Sequence, residues 1–376
     1  MDRKKIEGTR LDKITLQDIE IIGIRDMTDL SDRGIIVSNT SPTYYQTESG
    51  QIFSSLKIEK NGEIHLLRAG GTGYGKSYCT LQTGIYNTES GNLICNTVDD
   101  YHKQIARIGV KLDADYGIVA DFSGARLKTV EINRTFKITY QFADYGRVIR
   151  LILTLMPYMT TISTFGHSAG GKSDIATYTA SSRRGGKSKQ YRIISFYDKR
   201  KQISGLIKLE GEYMRVEMRI VGSDKIKNEL GTAILADLTD DMIGAYFDRQ
   251  INRLIVQPIQ KWKANRNKKI LRLMEREREV DCQNWQVNVL RTLANKELEN
   301  DGIPVLLDVS ELDRIVDQMD IPRRGRVKAN FKRQAEKYEN VFCRSDNKKL
   351  DEIIDALLAA TSEEKSDDLV AGLEAA

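Results

Sequence analysis

The chain has 376 residues, of which 40% are hydrophobic and 30% charged, with a formal net charge of +5. This balance is that of a soluble globular protein, not of a disordered or membrane chain, and no apolar run approaches the roughly 20 residues that cross a bilayer. Met1 to Glu7 is basic but leads into no apolar stretch, so no secretory signal is expected and residence in the cytoplasm of a bacterial host follows. Cys79, Cys95, Cys282 and Cys343 have neither zinc-pair nor disulfide-framework spacing and are expected as free thiols.

In chain order, Leu56–Lys60, Asn61-Gly62 and Glu63–Leu67 read as a tight hairpin, because Asn-Gly satisfies the positive φ of a type I′ turn. Gly70-Gly71-Thr72-Gly73-Tyr74-Gly75-Lys76-Ser77 then matches the phosphate-loop pattern GxxxxGK[ST]. On that alternative Gly75, Lys76 and Ser77 would bind a nucleotide, and Ile118–Asp121 or Ile234–Asp237 would stand as the acidic strand. Its context is poor. The preceding Glu63–Arg68 run is half charged where a buried parallel strand is needed, and Gly84 with Asn87–Gly91 interrupts the helix that should follow.

Val130–Ile138 alternates with period two: Glu131, Asn133, Thr135 and Lys137 face one way, and the apolar residues, with Arg134 as the exception, face the other. An amphipathic helix is expected over 142–156, closed by Pro157. The flexible basic loop Ser181–Lys189 follows, with Arg183, Arg184, Lys187 and Lys189 suited to single-stranded DNA. Tyr191–Lys199 and Met214–Ile220 read as strands, the second with Arg215, Glu217 and Arg219 on one face. Helices are expected near 240–256, 283–299, 310–319, 326–340 and 348–360. Charge is patchy: residues 261–278 hold eight Lys/Arg against two acids, and 323–337 hold seven against one. Such patches suit a phosphate backbone, with Trp262, Lys263, Arg323, Arg324 and Arg326 as candidate contacts.

The expected architecture is α+β: a mostly antiparallel sheet with helices packed on one face, followed by a helical C-terminal domain. The boundaries are 15–232 for the sheet domain, 238–360 for a helical DNA-binding or accessory domain, and 361–376 for an acidic disordered tail. If the charged strand faces share a sheet, they gather Tyr197 and Lys199 with Glu131, Glu217, Glu63 and His65, beside Arg215 and Arg219. Attack on a phosphodiester by tyrosine needs such a set. The phenol, of pKa ~10, must lose its proton, for which Lys199 on the same face could lower its pKa or hold the phosphate. Carboxylates and an imidazole can bind Mg²⁺ or Mn²⁺, and arginines can hold phosphates.

Three runs in order carry a resemblance. Leu127–Phe136, the apolar strand Gln190–Lys199 ending in Tyr197-Asp198-Lys199, and Glu212–Ile220 continuing through Lys227–Gly231 are together similar to signatures of the filamentous-phage gene II-like and related plasmid rolling-circle replication initiators. That resemblance implies a nickase of the HUH-like class. Tyr197 would take the 5′ phosphate of one origin strand and leave a 3′-OH to prime synthesis. The partners expected are duplex and single-stranded origin DNA, a host helicase and a polymerase, and no membrane. Asn133 stands where the family often has aspartate, which leaves Glu131 as the acidic ligand, and Glu63-Ile64-His65 stands in for a His-apolar-His pair. A nucleotide hydrolase and a DNA-binding regulator without chemistry are the alternatives.

Overall fold

The computed structural model describes residues 9–25, 34–38, 45–50, 52–53, 55–61, 63–71, 77–85, 96–159, 161–169, 172–183, 190–203, 211–299, 309–335, 338 and 345–358. They divide into two compact units, 1–137 with 180–247, and 138–179 with 248–376. No described helix is long and apolar enough to cross a membrane.

The strands are β1 (Thr9–Gln17), β2 (Glu20–Ile24), β3 (Ile35–Ser38), β4 (Tyr45–Gln46), β5 (Ile52–Phe53), β6 (Ser55–Asn61), β7 (Ile64–Gly71), β8 (Ser77–Gly84), β9 (Ile118–Asp121), β10 (Arg126–Ile138), β11 (Thr161–Ala169), β12 (Lys172–Arg183), β13 (Gln190–Asp198) and β14 (Glu212–Val221). Ten of them form one antiparallel sheet in the order β11-β12-β13-β14-β10-β1-β8-β7-β6-β3. The expected α+β class is therefore correct. The hairpin read from Asn61-Gly62 is also present, with Asn61 opposite Ile64 across β6 and β7.

One face of this sheet is oily. Leu11, Ile14, Leu16, Leu67, Leu81, Val130, Ile132, Ile194, Phe196, Val216 and Met218 are all essentially inaccessible. Removing such side chains from water stabilises by roughly 1.5–3 kcal/mol each. Helix α1 (Val98–Tyr116) packs on this side: its buried Gln104 donates to Thr83 Oγ1 at 2.7 Å. It starts with a reciprocal capping box between Thr97 and Asp100 and ends at Gly117, φ 65°, where a left-handed residue is needed. Arg134, the exception in its strand pattern, points to the same side. It is held by Thr9 Oγ1 at 3.1 Å, and its guanidinium stacks over the Phe247 ring at 4.7 Å.

The GxxxxGK[ST] pattern lacks the architecture of a nucleotide loop. Ser77 opens β8, not a helix, and pairs antiparallel with Gly71 at the end of β7. A nucleotide loop needs a parallel strand before it and a helix dipole after it, and the described residues on either side are two antiparallel strands. Gly75 and Lys76 lie outside the described residues. The candidate acidic strands fail too: β9 pairs with β2 in a separate two-stranded sheet, and Leu235–Asp237 is a 3₁₀ turn.

In the second unit, α2 (Gly146–Leu155) follows a 3₁₀ turn over Phe142–Tyr145, so the helix expected over 142–156 begins in a tighter winding. Three short helices complete the first unit or its border: α3 (Lys199–Ile203), α4 (Ser223–Leu230) and α5 (Asp240–Ile251). After α5 a π turn over Asn252–Val256 continues into α6 (Gln257–Val280), followed by α7 (Trp285–Glu299), α8 (Val309–Asp317), α9 (Arg324–Ala335) and a helix over 345–358. Ile270, Leu273, Met274, Trp285, Val289, Leu290, Leu312, Ile315, Val316, Met319 and Phe331 form one core among α6–α9.

Candidate active site

The opposite, polar face of the central strands carries the site. Ser195 lies opposite Glu217 and Tyr197 opposite Arg215 across β13 and β14. Because Phe196, Val216 and Met218 turn to the core, the pleat sends Tyr197, Arg215, Glu217 and Arg219 together to the other side. Strand β10 adds Glu131, Asn133 and Thr135: Arg215 Nε donates to Thr135 Oγ1 at 2.6 Å, and Arg219 forms an ion pair with Glu131.

A third carboxylate comes from β1. The pairing of β1 with β10 skips a residue between Leu11 and Lys13, so Asp12 is the extra residue of a β-bulge. Such an insertion re-aims the side chain beside it. Tyr101 of α1 fixes the bulge from behind, its hydroxyl donating to the Asp12 carbonyl at 2.5 Å. One carboxylate oxygen each from Asp12, Glu131 and Glu217 lies within 4.8 Å of the others.

Burial beside other acids disfavours the ionised forms of Glu131 and Glu217. Burial, then Glu131 and Asp12, push Glu217 up to about 7. Glu131 is also raised, chiefly by burial, with Arg219 opposing. The Tyr197 hydroxyl donates a long hydrogen bond to Glu217 Oε2 at 3.4 Å. Burial holds its pKa well above the usual phenol value, opposed by Arg215 and reinforced by Glu217 and Asp12. Arg215 Nη1 lies 3.6 Å from Asp12 Oδ1. The solvent side of the cluster is marked by Asp12, 21% exposed, and Arg219, 40% exposed.

Of the expected site residues, Tyr197, Glu131 and Glu217 come together; others do not. Lys199 is not on the tyrosine's strand, because β13 ends at Asp198. It opens α3, is buried, and donates to Gln202 Oε1 at 2.9 Å. Glu63 pairs with Arg107 at 3.3 Å. His65 sits at an irregularity of β7, beside Gly84 and Lys13, with its pKa lowered by burial and then by Lys13. Strand β7 is three places from β10 in the sheet order, about 14 Å at the usual strand spacing, and neither Glu63 nor His65 belongs to the carboxylate cluster. Arg215, expected at DNA, is 1% exposed and serves the cluster from within.

The side chain of Arg183 and residues Arg184, Lys187 and Lys189 lie outside the described residues. Arg323 and Arg326 are exposed, Arg324 Nε donates to the Met319 carbonyl at 3.1 Å, and Lys263 stands 3.7 Å from Asp351.

Asp12 escaped the sequence reading, although a signal for it exists. Leu11, Ile14 and Leu16 are the buried apolar residues of β1, and a step of three followed by a step of two marks one inserted residue in a strand.

Fold and cluster together define an antiparallel α+β sheet that carries a three-carboxylate site beside a phenol. No family model matches this chain, and no curated protein matches it. Among solved structures it is similar to a rolling circle replication initiator protein from Geobacillus stearothermophilus, at 7% identity and a TM-score of 0.34, over 66% of this chain and 85% of that one. A likeness at that level decides neither the fold nor the chemistry.

Proposed function

We propose that the chain is a replication initiator that nicks one DNA strand through Tyr197, forms a tyrosine–5′-phosphate bond and starts rolling-circle replication at a phage or plasmid origin. One observation carries this reading: the Tyr197 phenol on the polar sheet face donates to a carboxylate of a three-acid cluster and faces a buried arginine.

The donor set fits a hard divalent cation. Three carboxylate oxygens converge, and burial disfavours the ionised form of two of the acids, Glu131 and Glu217. Asp12, Glu131 and Glu217 would hold Mg²⁺ or Mn²⁺, which when bound polarises a phosphoryl oxygen. The protein's own groups supply the rest. Glu217, with the Tyr197 hydroxyl as its donor, is suited to take the phenolic proton. The Tyr197 oxygen then bonds to phosphorus as the bond to the 3′ oxygen breaks, and the leaving oxygen keeps the electron pair and takes up a proton. Arg215 steadies the developing phenolate. Arg219, at the open edge, is placed to meet the phosphate in exchange for Glu131. Origin DNA, duplex and single-stranded, is the partner this chemistry requires; a host helicase and polymerase belong to the same proposal.

The test is incubation with supercoiled DNA of the replicon that encodes the chain, with Mg²⁺ or Mn²⁺. An open circle with protein attached to its 5′ end is expected from wild type and none from Tyr197→Phe. Equal nicking by Tyr197→Phe sinks the mechanism.

A further inference from the structure

The second unit holds a surface whose shape and charge the chemistry at Tyr197 does not use. Helices α8 and α9 are joined by the short turn 318–323; α8 packs on α6, where Arg266 pairs with Glu311, and α9 packs on α7. The pair is fixed at several points. Phe331 is fully buried and meets Trp285 edge-on, ring centroids 5.6 Å apart. Gln286 donates to the Val327 carbonyl at 3.1 Å, Lys328 pairs with Asp317 at 2.7 Å, and Arg324 closes the turn on Met319. Helix α9 therefore presents one defined face outward.

That face has an unusual composition. At helical spacing, Val327 and Phe331 turn inward, whereas Gly325, Ala329, Lys332 and Arg333 lie on the far side with Arg326 on its flank. Gly325, Arg326, Ala329, Lys332 and Arg333 are all exposed. A Cβ built on Gly325 meets nothing within 4 Å. The centre of the face is thus a floor of the two smallest residues, with cations on both rims. No acid occurs from Ile321 to Ala335. The long helix α6, also cation-rich, carries Glu275, Glu277 and Glu279 in its last turns and lacks this uniformity.

We infer that α9 is a DNA-reading helix that enters the major groove of duplex DNA, a proposal that rests on the reading of the chain as one that acts on DNA. Gly325 and Ala329 allow the helix backbone to approach the base edges. Arg326, Lys332 and Arg333 contact bases or flanking phosphates, and α8 stands behind as the supporting helix. A major groove about 12 Å wide admits one α-helix, and a second helix offered across a short turn is a recurrent way of delivering it. The outward face has no large apolar side chain to insert into lipid, which favours duplex DNA over an anionic membrane as the occupant.

The experiment is selection by the full-length protein from a library of random-sequence duplexes, followed by affinity and salt titration on the enriched duplex. Wild type is expected to enrich one consensus. Ala329→Glu, at an exposed position, should lose that enrichment while its thermal unfolding stays that of wild type. Arg326→Ala/Lys332→Ala/Arg333→Ala should weaken binding roughly tenfold or more and lower the slope of log K against log salt by about 2 to 3. The same consensus from Ala329→Glu, an unchanged slope in the triple variant, or no enrichment by wild type overturns the inference. So does tighter binding to phosphatidylserine vesicles than to the enriched duplex. Covalent linkage of Tyr197 to single-stranded oligonucleotides is measured in parallel. Linkage without α9-dependent selection sinks this inference alone, and selection without linkage sinks the nicking reading alone.

Discussion

The polar face of β10, β13 and β14 and the outward face of α9 are both rich in charge, yet they hold it in opposite ways. At the first, acids, arginines and a phenol are in contact and mostly buried: Glu131 with Arg219, Asp12 with Arg215, and Glu217 with Tyr197. At the second, Arg326, Lys332 and Arg333 stand in solvent around a small-residue floor. Buried, coupled charge moves pKa values and suits proton and phosphoryl transfer. Exposed, unopposed charge suits counterion-releasing contact with a polyanion. Chemistry and affinity should therefore separate by mutation.

The largest effect that can break this contrast is at the cluster. Asp12→Asn or Glu131→Gln should cut metal-supported nicking by about a hundredfold or more, on the scale of losing a group that stabilises developing charge, while affinity for duplex DNA stays within twofold of wild type (roughly, as no phosphate contact is lost). A parallel fall in duplex affinity would merge the two regions. Next in size is the pH response. Glu217 has its folded pKa raised from 4.5 to about 7, so the folded state holds the extra proton between those values. Stability from this group is present at low pH and is lost as pH rises from about 4.5 through 7. Glu217→Gln should then raise the melting temperature of metal-free protein at pH 8 and leave it nearly unchanged at pH 5. Mn²⁺ should stabilise wild type at pH 8 and the variant much less; equal Mn²⁺ shifts would remove Glu217 from the ligand set.

A smaller effect is expected behind the bulge. Tyr101→Phe deletes the hydroxyl that holds the Asp12 carbonyl. One net hydrogen bond contributes about 1 kcal/mol, so a modest stability loss should come with weaker Mn²⁺ binding; unchanged Mn²⁺ affinity would show that Asp12 holds its aim unaided. Smallest of all, Lys76→Ala should change neither nicking nor ATP turnover, which should be absent in both proteins, because β8 follows the glycine-rich stretch. ATP turnover lost in Lys76→Ala would reinstate the nucleotide reading.

Legibility of the sequence divides along the same physical line between local and long-range order. Alternation in 214–220 named the face of Glu217 correctly because period two is a property of one strand. The Asn61-Gly62 hairpin was readable for the same reason, since its turn chemistry is local. Which strands become neighbours is set by long-range pairing, and the grouping of His65 and Glu63 with Tyr197 failed there: β1 and β8 intervene between β7 and β10. Lys199 failed at an element boundary, where β13 gives way to α3 one residue early. Asp12 was hidden because a bulge changes which face a residue serves without changing its neighbours in sequence. The GxxxxGK[ST] match shows the converse, since a run of letters can be complete while the elements on either side are two antiparallel strands.

The central claim is that one phenol takes the DNA 5′ end. The direct test is to trap the covalent protein–oligonucleotide adduct, digest it with nuclease and protease, and find by mass spectrometry which residue carries the remaining nucleotide. The account predicts a phosphotyrosyl nucleotide at Tyr197. A nucleotide on Tyr101, Tyr213 or any other side chain would contradict it.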